Sequence, residues 1–276
     1  MTIDSHQHFW KFNEVRDAWI TPDMEVIRKD FLPDQLLKIF QTNAVDGCVA
    51  VQADESEDEN KFLLGLASEY SFIKAVVGWL DFKSPAIEEK LIHAKKEKKL
   101  KGFRNIIQGK PDELYLTNAS FKNGLKWLSS FNLRYDLLVY QDQLPSLNRF
   151  VENFPDQFFM LDHLGKPAIK YKEIKRWREQ IRILSKHPLT YCKLSGMVTE
   201  ADWKHWKYED LSPYLEIAAE FFGVERLCFG SDWPVCLLAA SYGEVQGILT
   251  RFLGQVSEEE RKKVMGGNAI RFYQID

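Results

Sequence analysis

The stretch Phe229-Gly230-Ser231-Asp232-Trp233-Pro234 decides the fold when it is set beside Ile3-Asp4-Ser5-His6-Gln7-His8. The N-terminal stretch places two imidazoles two residues apart on an opening strand, and the C-terminal stretch places a carboxylate at the tip of a closing strand. The two stretches lie near opposite ends of the chain, so the imidazoles and the carboxylate can meet only if the chain closes into a ring. The sequence therefore predicts a barrel whose last strand returns to its first.

Short apolar runs recur between these ends, separated by segments with helical spacing. Strands that are buried on both faces of a parallel sheet have this continuous apolar character. Eight candidates are present, at Met1 to Ser5, Val45 to Gln52, Phe72 to Leu80, Leu100 to Asn105, Arg134 to Val139, Phe158 to Leu161, Thr190 to Leu194 and Arg226 to Phe229. This alternation predicts an α/β fold, a (β/α)₈ TIM barrel. No linker or composition break divides the 276 residues, so we expect a single domain over 1–276.

Capping signals indicate where some intervening helices begin. Ser56 with Glu59 and Ser257 with Glu260 have the spacing of a capping box. Ser212-Pro213 places a capping hydroxyl before a proline, which predicts a helix start at that point.

Composition excludes several classes of partner. The net charge of -3 provides no broad basic surface for nucleic acid or an anionic membrane. No stretch approaches the ~18 apolar residues of a membrane span, and the four cysteines form no C-x-x-C pair. We expect a cytoplasmic protein with a small-molecule ligand, and the sequence leaves homo-oligomerisation open.

Three of the candidate site residues are suited to a metal ion. His6 and His8 share side-chain parity on the first strand, and Asp232 follows the last strand. Two imidazoles and a carboxylate suit a divalent ion such as zinc and leave positions open for water. The alternative for Asp232 is a capping or turn aspartate, and a lone H-x-H is a weak signal by itself.

Other polar and aromatic residues are predicted at the same end of the barrel. His163 follows the sixth strand, where the alternative is a buried, hydrogen-bonded core histidine. Arg104 ends the fourth strand, and its guanidinium suits a carboxylate or polarised carbonyl as well as it suits a salt bridge at the rim. Tyr140 ends the fifth strand and could hydrogen-bond a substrate. Trp79 and Trp10 are candidate substrate contacts, since aromatic rings stack on the C–H faces of sugars, although they are equally common packing groups.

Taken together, these motifs resemble the amidohydrolase superfamily, and more narrowly its lactonase group. The resemblance extends from residue 1 to about 273. The motifs that carry it are His6-Gln7-His8-Phe9-Trp10, Gly102-Phe103-Arg104, Asp162-His163-Leu164-Gly165-Lys166-Pro167, Lys193-Leu194-Ser195-Gly196, Phe229-Gly230-Ser231-Asp232-Trp233-Pro234 and Asn268-Ala269-Ile270-Arg271-Phe272-Tyr273.

The resemblance implies hydrolysis of a sugar-acid lactone, of the L-fucono-, L-rhamnono- or L-galactonolactone type, to the aldonic acid. It implies that His6, His8, His163 and Asp232 converge at the carboxyl ends of the strands. Asp232 would act as general base, with its pKa raised by desolvation toward working pH. Arg104 and His163 would stabilise the oxyanion.

The resemblance leaves the metal and the reaction class open. The fifth strand has no histidine and the fourth has no bridging lysine or glutamate, so a two-metal centre is not expected. His6, His8 and Asp232 would hold one ion, zinc by preference, or the enzyme would work without metal as some lactonases do. The alternatives are a metal-dependent decarboxylase of an aromatic or unsaturated acid, with Arg104 on its carboxylate, and a non-catalytic sugar-acid binding barrel.

Overall fold

The computed structural model describes residues 1–276 and contains one eight-stranded sheet in which each strand pairs in parallel with the next along the chain. The strands are β1 (Ile3–Gln7), β2 (Gly47–Val51), β3 (Ile73–Gly78), β4 (Leu100–Ile106), β5 (Arg134–Leu138), β6 (Phe159–Leu161), β7 (Thr190–Leu194) and β8 (Leu227–Phe229). All eight lie within the predicted runs or within two residues of them.

The barrel closes where β8 and the residues after it meet β1. The Ser5 hydroxyl donates to the Phe229 carbonyl at 2.6 Å. Beyond β8, the backbone N–H of Asp232 donates to the His6 carbonyl at 2.8 Å, and that of His8 donates to the Trp233 carbonyl at 2.7 Å. These bonds confirm the predicted barrel and bring the two motif-bearing stretches side by side.

Twelve α-helices accompany the strands, several of them short. They are α1 (Pro33–Asn43), α2 (Glu57–Glu69), α3 (Ile87–Ala94), α4 (Ala119–Leu125), α5 (Trp127–Ser130), α6 (Leu144–Val151), α7 (Lys175–Leu184), α8 (Met197–Glu200), α9 (Tyr208–Phe222), α10 (Tyr242–Phe252), α11 (Glu258–Lys262) and α12 (Asn268–Tyr273). No helix reaches the length and hydropathy that a membrane crossing requires.

The predicted helix starts are confirmed in part. The Ser56 hydroxyl caps α2, and Ser257 with Glu260 forms the full capping box of α11. In contrast, the start predicted at Ser212-Pro213 is wrong, because α9 already begins at Tyr208 and Pro213 lies inside it. The Asp210 side chain accepts the backbone N–H of Lys207 and so caps the true N-terminus.

Two apolar clusters fill the molecule, one outside the sheet and one inside it. The larger packs the helices around the barrel, whereas the smaller lies within the barrel and includes Val49, Val51, Ala75 and Val77. Helix α12 adds Phe272 and Tyr273 to this inner cluster. The lower half of the barrel is therefore apolar, which leaves the other end for polar chemistry.

Candidate active site

A bulge in β1 directs both histidines of the first strand inward. The register with β2 shifts between Asp4 and Gln7, where β1 has one residue more than its partner. Such an extra residue reverses the side-chain alternation beyond it. As a result Ile3 belongs to the inner apolar cluster, and the even-numbered His6 also faces the interior, where it contacts Lys193. His6 lies within β1, not beyond its end as the predicted strand implied.

The four predicted residues converge. The Nε2 atoms of His6 and His8 are 3.2 Å apart. Oδ1 of Asp232 lies 3.6 Å from Nε2 of His8 and 3.9 Å from Nε2 of both His6 and His163. All four side chains are almost fully buried. The structure thus brings three imidazoles around one carboxylate oxygen.

A left-handed turn after β6 carries His163. The four residues His163, Leu164, Gly165 and Lys166 all have φ between 48° and 70°. Residues other than glycine rarely adopt this conformation, and where they do the surrounding structure must enforce it. Nδ1 of His163 contacts the Ser195 hydroxyl at 2.9 Å, which fixes the ring. Burial holds the pKa of His163 well below its ordinary value, so the ring is neutral at neutral pH.

The loop after β8 holds Asp232 in a similarly unusual backbone conformation, with φ of 60°. Its neighbour Ser231 donates to the buried Asp4 carboxylate from both its backbone N–H, at 2.9 Å, and its hydroxyl, at 2.6 Å. The Tyr242 hydroxyl donates to the same carboxylate at 3.1 Å. Asp4 therefore anchors the loop that presents Asp232.

The expected upward shift in the pKa of Asp232 is wrong. Burial alone would raise this pKa, but the neighbouring imidazoles of His163 and His8 hold it below its ordinary value. The carboxylate is thus ionised throughout the neutral range. The sequence indicates burial at this position, whereas the imidazoles of His163 and His8 come beside the carboxylate only in the folded chain.

Arg104 is deeply engaged with the protein. Its NH1 group donates to Asp162 at 2.9 Å and lies 3.3 Å from Nε2 of His6. Its NH2 group donates to the carbonyl and the side-chain oxygen of Gln52, at 2.6 and 2.8 Å, and Nε donates to the same side chain at 3.3 Å. Four of the five N–H donors of the guanidinium are thus taken by Asp162 and Gln52, and the fifth points at Nε2 of His6. A direct contact with substrate would require Arg104 to give up one of them.

Beneath the histidines lies a buried ionic cluster that the motifs did not predict as a unit. Nζ of Lys193 lies 2.5 Å from Asp136, 3.0 Å from Asp162 and 3.1 Å from Nδ1 of His6. Burial alone would raise the pKa of Asp162, but Lys193, His6 and Arg104 hold it well below its ordinary value. The cluster supports His6 from below, and long-range pairs of this kind leave no local sequence pattern.

A cavity of about 190 Å³ opens above the four residues. His8, His163, Asp232, Arg104 and Trp10 line it, as predicted, together with the residues Trp19, Ala53, Ile106, Gln108, Leu138, Lys166 and Val235. Tyr140 instead lines an adjacent outer groove of about 550 Å³, and Trp79 lines neither space. The Trp79 backbone is held by the Asn60 side chain of α2. The cavity therefore includes two of the four predicted substrate contacts.

The donor set fits one divalent cation. Zinc bonds of about 2.0–2.1 Å place the ligand atoms of a tetrahedral site about 3.3 Å apart. The three separations among His6, His8 and Asp232 are 3.2, 3.6 and 3.9 Å. Nδ1 of His8 lies 2.8 Å from the Val51 carbonyl, which can only accept, so the proton is on Nδ1 and Nε2 of the neutral ring faces the site.

The chain is similar along its whole length to proteins of known family. The family model for amidohydrolases matches residues 3–275. An L-fucono-1,5-lactonase of Burkholderia multivorans is 40% identical over 286 residues, covering 100% of this chain and 96% of that protein. An L-fucono-1,5-lactonase of Burkholderia ambifaria is 33% identical over 281 residues, covering 99% and 96%. A crystal structure of an amidohydrolase from Burkholderia multivorans with bound zinc has a TM-score of 0.95 at 40% identity and covers 100% of both chains.

Proposed function

The chain belongs to the amidohydrolase family, and we propose that it hydrolyses the lactone of a sugar acid, of the L-fucono-1,5-lactone type, to the open aldonic acid. One observation carries this proposal: three imidazoles surround one ionised carboxylate at the base of a small cavity. The names of two relatives that match almost the full length support a hydrolase acting on the ester bond of a lactone. The predicted family resemblance is thereby confirmed.

Asp232 is proposed as the general base. Its carboxylate is ionised at neutral pH and lines the cavity, so it can accept a proton from a water that attacks the lactone carbonyl. The same oxygen can return that proton to the ring oxygen when the tetrahedral intermediate collapses. The lowered pKa makes Asp232 a weaker base than expected from burial alone, and the attacking water must therefore be made more acidic by its surroundings.

His163 is proposed to stabilise the developing oxyanion. Because the ring is neutral, only one of its nitrogens carries a proton. When the Ser195 hydroxyl donates to Nδ1, the proton lies on Nε2, which faces the cavity. A preorganised donor of this kind lowers the barrier by about 3 kcal/mol. Arg104 would support this chemistry by fixing Asp162 and Gln52, a more indirect contribution than the contact predicted from the sequence.

His6, His8 and Asp232 are proposed to hold one divalent ion, with zinc as the first candidate. When bound, such an ion would polarise the lactone carbonyl and acidify water. A second trio, His6, Asp162 and His163, also lies close together, but Asp162 is already paired with Arg104 and Lys193. One ion is thus the better fit to the donors that remain.

The proposal is tested with a panel of sugar 1,5- and 1,4-lactones and of aromatic acids, assayed with chelated protein and with protein reloaded with zinc or manganese. Base consumption without carbon dioxide release is expected, and release of carbon dioxide from an aromatic acid would instead establish the decarboxylase. Ligand-induced thermal stabilisation without turnover of any lactone would establish the non-catalytic barrel. The organisation as a single domain and the cytoplasmic location stay predictions. Homo-oligomerisation stays open.

A further inference from the structure

Lys166 is the cationic side chain of the cavity whose donors are not consumed by the protein. Nζ of Lys166 lies 3.0 Å from Oε1 of Glu200, and the ammonium lies 5.6 Å from the centre of the Tyr140 ring. The side chains of Lys166 and Glu200 are 16% and 20% exposed. An ammonium has three N–H donors, so this pairing leaves two donors for a ligand, whereas Asp162 and Gln52 take four of the five donors of Arg104.

The turn after β6 places Lys166 at the mouth of the cavity. Lys166 follows His163 by three residues within the left-handed turn, and it has φ of 48° itself. It lines both the inner cavity and the outer groove, and Glu200 lines the groove beside it. Non-glycine residues in this conformation are uncommon, and strained residues of this kind cluster at active sites and ligand contacts. The left-handed turn thus places two side chains in the same cavity, with His163 at its base and Lys166 at its mouth.

The charge of Lys166 is stable at working pH. Burial alone would lower its pKa, but Glu200 and Asp232 raise it above the ordinary value. Beside it, Glu200 accepts a bond from Lys166 through one of its two carboxylate oxygens. The ammonium of Lys166 can only donate hydrogen bonds, and the carboxylate of Glu200 beside it can only accept them. A hydroxyl group can donate and accept hydrogen bonds, so it can pair with either side chain.

We propose that Lys166 and Glu200 together bind neighbouring hydroxyl groups of the sugar lactone and so select a polyhydroxylated ring over a plain one. This inference rests on the proposed function. The lactone carbonyl would lie near Asp232 and His163, while the hydroxyl-bearing edge of the ring points toward the mouth. One hydroxyl accepts from the Lys166 ammonium, and its neighbour donates to the Glu200 carboxylate. Lys166 is thus a specificity residue, and its removal leaves the reacting groups in place.

The test compares L-fucono-1,5-lactone with δ-valerolactone, which has the same six-membered lactone ring but lacks the hydroxyl groups and the methyl group. For Lys166→Met we expect kcat/KM on the hydroxylated lactone to fall by about 10- to 100-fold, mainly through KM, because one charge-assisted hydrogen bond is lost. The value for δ-valerolactone should change by less than about 3-fold. Glu200→Gln should follow the same pattern, and Lys204→Met, which removes an exposed lysine of the same groove, should change neither. An equal loss on both lactones would overturn the proposal and place Lys166 in the chemical step.

A binding measurement keeps this result separate from the reaction itself. Calorimetry of L-fucono-1,5-lactone with Asp232→Asn, with and without Lys166→Met, should give a Kd at least about 10-fold weaker in the double variant. Equal affinities would refute the role of Lys166 whether or not the wild-type protein hydrolyses lactones. A wild-type protein that binds the lactone through Lys166 without turning it over would refute the proposed function alone. Circular dichroism and Tm establish that each variant is folded.

Discussion

Replacement of Gly196 by alanine should disable the site through His163, and this loss of activity should exceed what the accompanying loss of stability explains. Gly196 follows β7 and has φ of 65°. A Cβ atom there would lie 2.6 Å from both Cγ and Nδ1 of His163. Ordinary contact begins near 3.4 Å, so the ring must retreat by about 0.8 Å. That shift also disturbs the 2.9 Å contact between Nδ1 and the Ser195 hydroxyl.

The size of the effect follows from these distances. Misplacement of a reacting group by about 1 Å can reduce the rate by about 100-fold, so we expect kcat of Gly196→Ala to fall by roughly 10- to 100-fold. The left-handed backbone adds a stability loss of about 1–3 kcal/mol. Gly223 provides the control, because it has φ of 64° but no atom within 4 Å of a built Cβ, and it caps α9 away from the cavity.

The assay measures lactone turnover and urea unfolding for Gly196→Ala and Gly223→Ala in parallel. Both variants should lose stability, and Gly223→Ala should lose at least as much because its ψ of 161° suits glycine almost exclusively. Only Gly196→Ala should lose turnover. Full activity in Gly196→Ala, or an equal loss of kcat in Gly223→Ala, would refute the reasoning that His163 must hold this position.

Three further predictions follow from named side chains. Asp232→Asn should lower kcat by at least about 100-fold in a folded protein, since the general base is lost, and wild-type turnover would contradict that role. Arg104→Met should lower the free energy of unfolding by about 3–5 kcal/mol in urea, because Asp162 loses a buried partner, and an unchanged midpoint would refute this. Burial is the main cause that raises the pKa of Glu59 to about 7. The folded state therefore binds more protons than the unfolded state from about pH 4.5 to 7, and the free energy of unfolding falls as pH rises through that window. Glu59→Gln should remove up to about 3 kcal/mol of that fall, measured as urea unfolding at pH 5 and 8, and an equal fall in both proteins would contradict it.

The barrel could be predicted because its determinants are local. Most of the strands are short, largely apolar runs, and the observed bounds differ from the predicted ones by at most two residues. The pairing of His6 and His8 with Asp232 followed from topology, since the first and last strands of a barrel are neighbours. The bulge in β1 could not be predicted, because register shifts depend on the partner strand.

The rest of the site depends on backbone conformation and on contacts distant in sequence. Lys166 lies in a quoted motif, but only the left-handed φ values from His163 onward turn it into the cavity. The Lys193 pairs with Asp136 and Asp162 join three different strands or their ends and have no sequence spacing of their own. For Trp79 the position along the chain was misleading. This residue directly follows β3 and was therefore expected at the site, but it lies outside the cavity.

The charges of the site indicate why a cation suits it. The positive charges of Arg104 and Lys193 are balanced by the carboxylates of Asp162 and Asp136. At the mouth of the cavity, the charge of Lys166 is balanced by that of Glu200. Asp232 is then the one carboxylate near the cavity without a dedicated cationic side chain. Its carboxylate is ionised, and the imidazoles of His6 and His163 beside it are held neutral by burial, so a positive charge bound at this point would offset the cost of burying the carboxylate. Hence a divalent ion would satisfy Asp232, His6 and His8 together. Removal of that ion should destabilise the wild-type protein, and Tm should recover on zinc addition in the wild type but much less in His8→Ala.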